Sequence, residues 1–194
     1  MPFISAKARE DAASSGSTKD GYLNPSSIKS GQKVRFTLLA EEPFMFYELW
    51  GNDVNDPQKR KPFRFLEEPT PEDISVKLGN NFVRSLSRDG KGNEPSRIAH
   101  AVPIYNYDLE RVQVFSWTQK TITQALDNIS QLEDYADSMT ECDFYLSRDG
   151  EGTDTRYTVQ AAPKKKAMAK TVDAEWDAAQ DEGFDLSRLI DGGD

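Results

Sequence analysis

From residue 31 onward, apolar and polar positions fall into two distinct periods. Val34, Phe36 and Leu38 alternate with Arg35, Thr37 and Leu39, the period of a half-buried strand. Glu41-Glu42-Pro43 reads as a turn, and the aromatic-rich run Phe44–Trp50 as a second strand paired to the first. Lys59–Leu66 is a basic and aromatic strand. At Thr70 the chain carries a helix-start signature: Thr-Pro-Glu-Asp puts proline at the first helical position and acids in the first turn. A short helix is expected over Pro71–Leu78, followed by a long polar loop over 79–97. Ile98–Tyr107 and Arg111–Thr118 read as a hairpin. Between Thr118 and Leu132 the period changes, because Ile122, Ala125, Leu126, Ile129 and Leu132 recur at helical spacing. Cys142–Ser147 and Thr155–Ala161 are two further strands around a glycine-rich turn.

Six or seven short strands with one substantial amphipathic helix late in the order predict a mainly β fold. An OB-like small β-barrel covered by that helix is the expected architecture. A β-sandwich is the alternative, but it does not usually bury a helix of this length. Residues 1–30 show no sustained apolar period and are rich in Ser, Ala, Gly and Lys, so they read as a flexible N-terminal arm. The domain is expected over 31–163, a basic linker over 164–172, and an acidic–hydrophobic tail over 173–194.

Charge changes the picture of the C-terminal end. The 194 residues carry a formal net charge of −9, yet most of it is local. From Asp173 to Asp194 there are eight acidic residues and one basic residue, Arg188, while residues 1–172 carry 23 basic and 25 acidic residues. Asp173, Asp181, Asp185 and Asp191 are interleaved with Trp176, Phe184, Leu186, Leu189 and Ile190. Carboxylates mixed with large apolar side chains suit docking into a groove rimmed by cations, so this tail is expected to bind partner proteins. The bland reading is a solubilising tail.

Several chemistries lack their residues. One cysteine, Cys142, and one histidine, His100, leave no disulfide framework and no Cys/His zinc cluster. There is no phosphate-binding glycine loop ending in Lys-Ser/Thr and no Gly-x-Ser-x-Gly elbow. Acidic pairs such as Glu67-Glu68 read as solvated faces. The chain is therefore expected to be no enzyme, with no metal and no cofactor. No apolar run reaches membrane length, and MPFISAKARE has no apolar signal stretch, so a cytoplasmic protein without membrane contact is expected.

The strands carry one positive signal. Cations and rings alternate through Lys59-Arg60-Lys61-Pro62-Phe63-Arg64-Phe65 and from Arg111 to Trp117, and the loop from Arg84 through Arg88 and Lys91 to Arg97 adds four more cations. Single-strand binders combine these groups: cations neutralise phosphates, and ring faces stack on bases. Trp50, Phe63, Tyr105, Tyr107 and Trp117 are the candidate stacking residues. Phe63, Trp50 and Trp117 serve equally well as core residues by strand alternation, whereas Tyr105 and Tyr107 share one face and are expected at the binding face. Lys59–Lys61 also suits a sheet edge blunted against aggregation.

The run RIAHAVPIYNYDLERVQVFSWTQKTITQALDNI, with DFYLSRDGEGTDTRYTV, a lysine-rich exit and the earlier KPFRFLEEPTPEDI, resembles single-stranded DNA-binding proteins of tailed phages, cyanophages among them. These are similar to the helix-destabilising replication protein of the large myophages. The resemblance spans about residues 31–163. It implies an OB fold, sequence-tolerant binding of single-stranded DNA in replication, recombination or repair, and an acidic C-terminal segment that contacts replication or recombination proteins. Two departures stand out. The myophage protein has a structural zinc site that this chain lacks the Cys and His to build. The N-terminal arm has only Lys7 and Arg9 as close cations, which argues against strongly cooperative self-association, though a homo-oligomer stays open. Two rival readings remain: a protein–protein adaptor for replication or transcription, and a metal-dependent nuclease.

Overall fold

The computed structural model describes residues 21–135 and 138–191. Nine strands form one open, mixed sheet: β1 (Tyr22–Leu23), β2 (Gln32–Leu38), β3 (Phe44–Asp53), β4 (Arg60–Phe65), β5 (Phe82–Arg84), β6 (Arg97–Asn106), β7 (Arg111–Trp117), β8 (Cys142–Asp149) and β9 (Arg156–Pro163). Among the described residues, three α-helices accompany them: α1 (Pro71–Leu78), α2 (Lys120–Ser130) and α3 (Ala169–Asp181). The main path runs β1-β7-β6-β2-β8-β9, and β3 branches from β6 to carry β4 and β5. All pairings are antiparallel except β1 with β7. The expected barrel is not closed, because among the described residues no ladder joins β9 to β4 or to β1.

The sheet has two covered faces, and strand alternation decides which residue meets which cover. On β6, Val102 and Ile104 point inward with Phe36 and Leu38 of β2, Phe115 and Trp117 of β7, and Phe144 and Leu146 of β8. Ile122 and Ile129 of α2 close this main core, as the helical spacing demands. Ala99 and Ala101 of β6 point the other way, with Phe46 of β3 and Val114 of β7. Tyr105 continues that outward face.

Helix α1 begins where its capping signature places it. The Thr70 hydroxyl accepts from the Asp73 N–H, and the Asp73 carboxylate accepts from the Thr70 N–H, a reciprocal box that satisfies two otherwise orphaned donors. Gly79 ends the helix at φ 61°, a conformation that side chains with a Cβ rarely adopt. The helix buries Ile74 against Leu49 and Phe63. The approach is close: a Cβ at Gly51 would lie 2.8 Å from the Phe63 ring and 2.9 Å from Leu78.

Two segments expected outside the domain are packed against it. Residues 1–20 of the expected arm lie outside the described residues, but Tyr22 and Leu23 pair with Val114 and Phe115, and Leu23 and Ile28 are buried in the main core. The expected linker and tail contain α3, which buries Val172 against Tyr105 and Tyr107, and a 3-10 turn over Leu186–Leu189. Leu189, with Phe184, Leu186 and Ile190 around it, covers Phe46, Ala99, Ala101 and Val114. Residues 192–194 of the tail lie outside the described residues.

Candidate nucleic-acid interface

The outward face of β3 and β4 opens into a cleft of about 780 Å³. Its lining includes Trp50, Pro62, Phe63 and Arg64 of β3 and β4, Tyr22 and Pro25, Trp117, and Leu189–Asp191. Register explains why Trp50, Pro62 and Arg64 reach it together. Trp50 pairs with Pro62 and Glu48 with Arg64, so all four side chains leave the sheet on the same side.

Trp50 is half-buried, and the Arg60 guanidinium lies 4.8 Å over its ring. Arg60 is paired with Glu94, which also takes Arg97 at 3.0 Å. Arg84 donates from Nε to the Glu94 carbonyl at 2.9 Å. Glu94 therefore gathers three of the expected cations at one point. Arg64 donates from Nε to Glu48 at 3.0 Å and from Nη1 to the Leu189 carbonyl at 3.4 Å. Lys77 of α1 donates to the carbonyls of Arg64 and Ile190, the latter at 2.9 Å. Burial lowers the Lys77 pKa, and the Asp191 carboxylate opposes that shift.

Between β5 and β6, the segment Ser85–Glu94 doubles back as a small hairpin. Ser87 N–H donates to Gly92, Glu94 N–H donates to Ser85, and Leu86 bridges Asn93. Arg88 and Lys91 stand exposed at its tip. No hydrogen bond or ion pair among the described residues engages their side chains or that of Lys59. Lys61 is exposed and lies over the Phe63 and Phe82 rings at 4.8 and 4.3 Å, on the sheet side opposite Trp50. Arg111 is half-buried at the far end of β7.

The expected stacking residues separate into two groups. Trp50 borders the cleft with its ring partly open. Phe63 and Trp117, at 6% and 4% exposure, reach the cleft lining but are core residues, one of the two places alternation left open to them; Tyr105 and Tyr107, at 1% and 7%, are buried, which corrects their expected place on a binding face. Tyr105 and Tyr107 do share one side of the sheet, but α3 covers it. The Tyr107 hydroxyl donates to the buried Asp143 carboxylate at 3.0 Å, and burial beside that charge raises its pKa. Trp117 is sandwiched between Phe115 and His100, with centroids 4.6 and 5.2 Å away. Burial lowers the His100 pKa and pushes the Cys142 thiol up to about 11.

The acidic tail is ordered by its apolar residues. Trp176 of α3 meets Phe184 edge-on at 5.1 Å. The Asp185 carboxylate accepts from the Ser187 N–H at 2.8 Å and starts the last turn. Those bonds to Ser187 lower the Asp185 pKa. Asp173, Asp181, Asp185 and Asp191 stay exposed. Sequence reasoning missed Glu48, Lys77 and Glu94 because their roles follow from register and from helix docking, which leave no local signal.

Comparison with protein-family models, curated proteins and solved structures gave no match to this chain. Among the described residues, no helix is long and apolar enough to cross a membrane.

Proposed function

We propose that this protein binds single-stranded DNA without strong sequence preference, as a non-enzymatic factor of phage replication, recombination or repair. One observation carries the reading: the cleft presents an accessible tryptophan capped by arginine, next to two cations, Arg64 and Lys77, that bind backbone carbonyls of the acidic C-terminal segment. Base stacking on Trp50 and phosphate neutralisation by Lys59, Arg60, Arg64, Arg88 and Lys91 are the two interactions single-strand binding requires. The OB-like reading belongs to the same proposal. It rests on the order of strands and on α2 entering before the last hairpin.

In this reading the segment Phe184–Asp191 competes with DNA for the cleft and, when displaced, offers its acidic and aromatic residues to partner proteins. The adaptor reading draws on the same exposed acids and the half-buried Trp176–Phe184 pair. Salt separates the two. Phosphate contacts lose affinity steeply with salt, and an apolar protein interface does not. Fluorescence anisotropy of a labelled oligo(dT) of about 30 nucleotides at two salt concentrations, a length covering one or more OB sites, is the test. Tight, salt-sensitive binding that duplex DNA fails to compete is the expected result. No binding at low salt rejects the proposal. A single-stranded RNA competitor measures the preference between the two nucleic acids, which stacking and phosphate contacts alone do not set.

A further inference from the structure

The hairpin of β8 and β9 carries the run DFYLSRDGEGTDTRYTV, yet it contributes nothing to the cleft. Its inner residues, Cys142, Phe144, Leu146 and Val159, fill the main core. Its outer residues continue the face that carries Trp50 and Tyr105. Thr37 pairs with Tyr105 across β2 and β6, and with Asp143 across β2 and β8, so Arg35 and Lys33 of β2 share this face with Tyr145 and Ser147 of β8. Helix α3 and the C-terminal turn cover the middle of the face and leave this end outside every hydrophobic cluster among the described residues.

Cations and tyrosines alternate along it. Lys33 Nζ lies 4.7 Å over the Tyr145 ring, and the Arg35 guanidinium lies 5.2 Å from Tyr145 and 5.8 Å from Tyr107. Lys165 Nζ lies 4.7 Å over the other ring, Tyr107. Arg35 is fixed: it pairs with the fully buried Asp143 at 2.8 Å and donates to the Tyr145 hydroxyl and the Pro163 carbonyl. Lys33 and Lys165, at the two ends, have ring faces and no ion pair among the described residues. Lys33 is exposed, and Tyr145 and Lys165 are half-buried. Ser147 and the exposed Thr158 and Gln160 extend the same flat surface onto β9.

We propose that this ladder, Lys33–Tyr145–Arg35–Lys165, with the buried Tyr107 ring supporting Lys165 from below, is a second contact surface for single-stranded nucleic acid, beyond the cleft. The inference rests on the single-strand reading. Three features favour a nucleic-acid strand as occupant. Lys33 and Arg35, two residues apart on one strand, are spaced about 6.8 Å along it, close to successive phosphates of an extended chain. The Tyr145 ring, anchored through its hydroxyl by Arg35, is pre-organised for a base to stack on its face, as aromatics on an open sheet are in RNA-binding domains. Arg35 and the buried Asp143 neutralise each other, so the surface's free positive charge is that of Lys33 and Lys165, with the exposed Asp108 carboxylate accepting from the Arg35 backbone N–H at 3.3 Å beside it. The C-terminal segment does not cover this surface, so a strand reaches it while the cleft is closed.

The test uses the full chain and oligo(dT) of about 30 nucleotides, long enough to span one or more sites. Lys33→Glu and Lys165→Glu are each compared with Lys120→Glu, an exposed charge reversal on α2. Each ladder substitution is expected to lower the slope of log affinity against log salt by about 0.7, the value for one lost contact on a single strand. Tyr145→Leu is expected to weaken binding about five- to hundredfold with the slope unchanged, the signature of lost stacking. If wild type binds and the ladder variants, folded by circular dichroism, match it in affinity and slope, the ladder is refuted and the single-strand reading stands. If Lys120→Glu lowers the slope equally, the effect is overall charge and the ladder is again refuted. If wild type does not bind, the single-strand reading fails and takes the ladder with it.

Discussion

Leu189→Ala separates a latch from a tail that merely rests on the body. Leu189 is 4% exposed and packs on Phe46, Ala99, Ala101 and Val114. Leucine-to-alanine changes in cores cost about 2–5 kcal/mol. This cluster lies at a chain end and is partly open to solvent, so about 2 kcal/mol, the low end of that range, applies. A terminal segment opens locally, before the body unfolds, so the cost falls mainly on the closed–open equilibrium of the segment. At 1.4 kcal/mol per factor of ten, the open population rises roughly thirtyfold.

Apparent affinity for a site that is available only in the open form scales with the open fraction. Where the closed form dominates, Leu189→Ala therefore tightens oligo(dT) binding by up to about thirtyfold, the full shift in that fraction. Anisotropy titration measures it, with circular dichroism and thermal melting as controls. The gain is expected to persist at high salt, because the lost contact is apolar. Removal of residues 184–194 sets the upper limit. Unchanged or weaker binding in both variants, with the body still folded, would refute competition between this segment and the strand.

Trp50→Ala should weaken single-strand binding by about 1–3 kcal/mol with little loss of thermal stability, since its ring is a stacking surface. Trp117→Ala should instead cost about 3–5 kcal/mol of stability, because that ring is sandwiched in the core; melting curves against anisotropy distinguish the two. Glu94→Gln releases Arg60 and Arg97 from their carboxylate. Because such partly exposed pairs contribute about 0–1 kcal/mol, stability should hardly change while affinity and salt slope both rise; an unchanged slope would mean these cations do not face the strand. His100 is the single histidine, so its NMR titration is unambiguous, and the midpoint should fall below 6.5. Its folded pKa is lowered, so its stabilising contribution is complete above 6.5 and is lost as pH falls from there through the folded pKa. His100→Phe should remove that part of the acid loss in pH-dependent melting; a midpoint at or above 6.5 would contradict the burial.

Local chemistry made much of the sheet and both of the first two helices legible. Alternation located β2, β3 and β4, the reciprocal Thr70–Asp73 cap marked the start of α1, and four apolar residues at helical spacing announced α2. What alternation leaves undetermined is which face is covered, and by what. Tyr105 and Tyr107 do share a face, but whether that face meets solvent depends on Val172, some 65 residues further on. Glu48 meets Arg64 only through the β3–β4 register. In α3 the acids were the louder signal, yet Val172, Trp176 and Ala179 recur at helical spacing within them. Charge and packing are divided between the two sides of that segment. Val172 and Leu189 turn inward, the backbone carbonyls of Leu189 and Ile190 take Arg64 and Lys77, and Asp173, Asp181 and Asp185 remain outside. Because Asp173 and Asp181 make no bond among the described residues that holds the segment down, substituting them should leave its docking intact while removing whatever they recruit, whereas loss of Asp185 removes the cap of the last turn and should loosen it. A tail held by its own acids would be released by salt, whereas one held by leucine and by carbonyl–cation bonds is suited to be displaced by a strand that competes for the same cations.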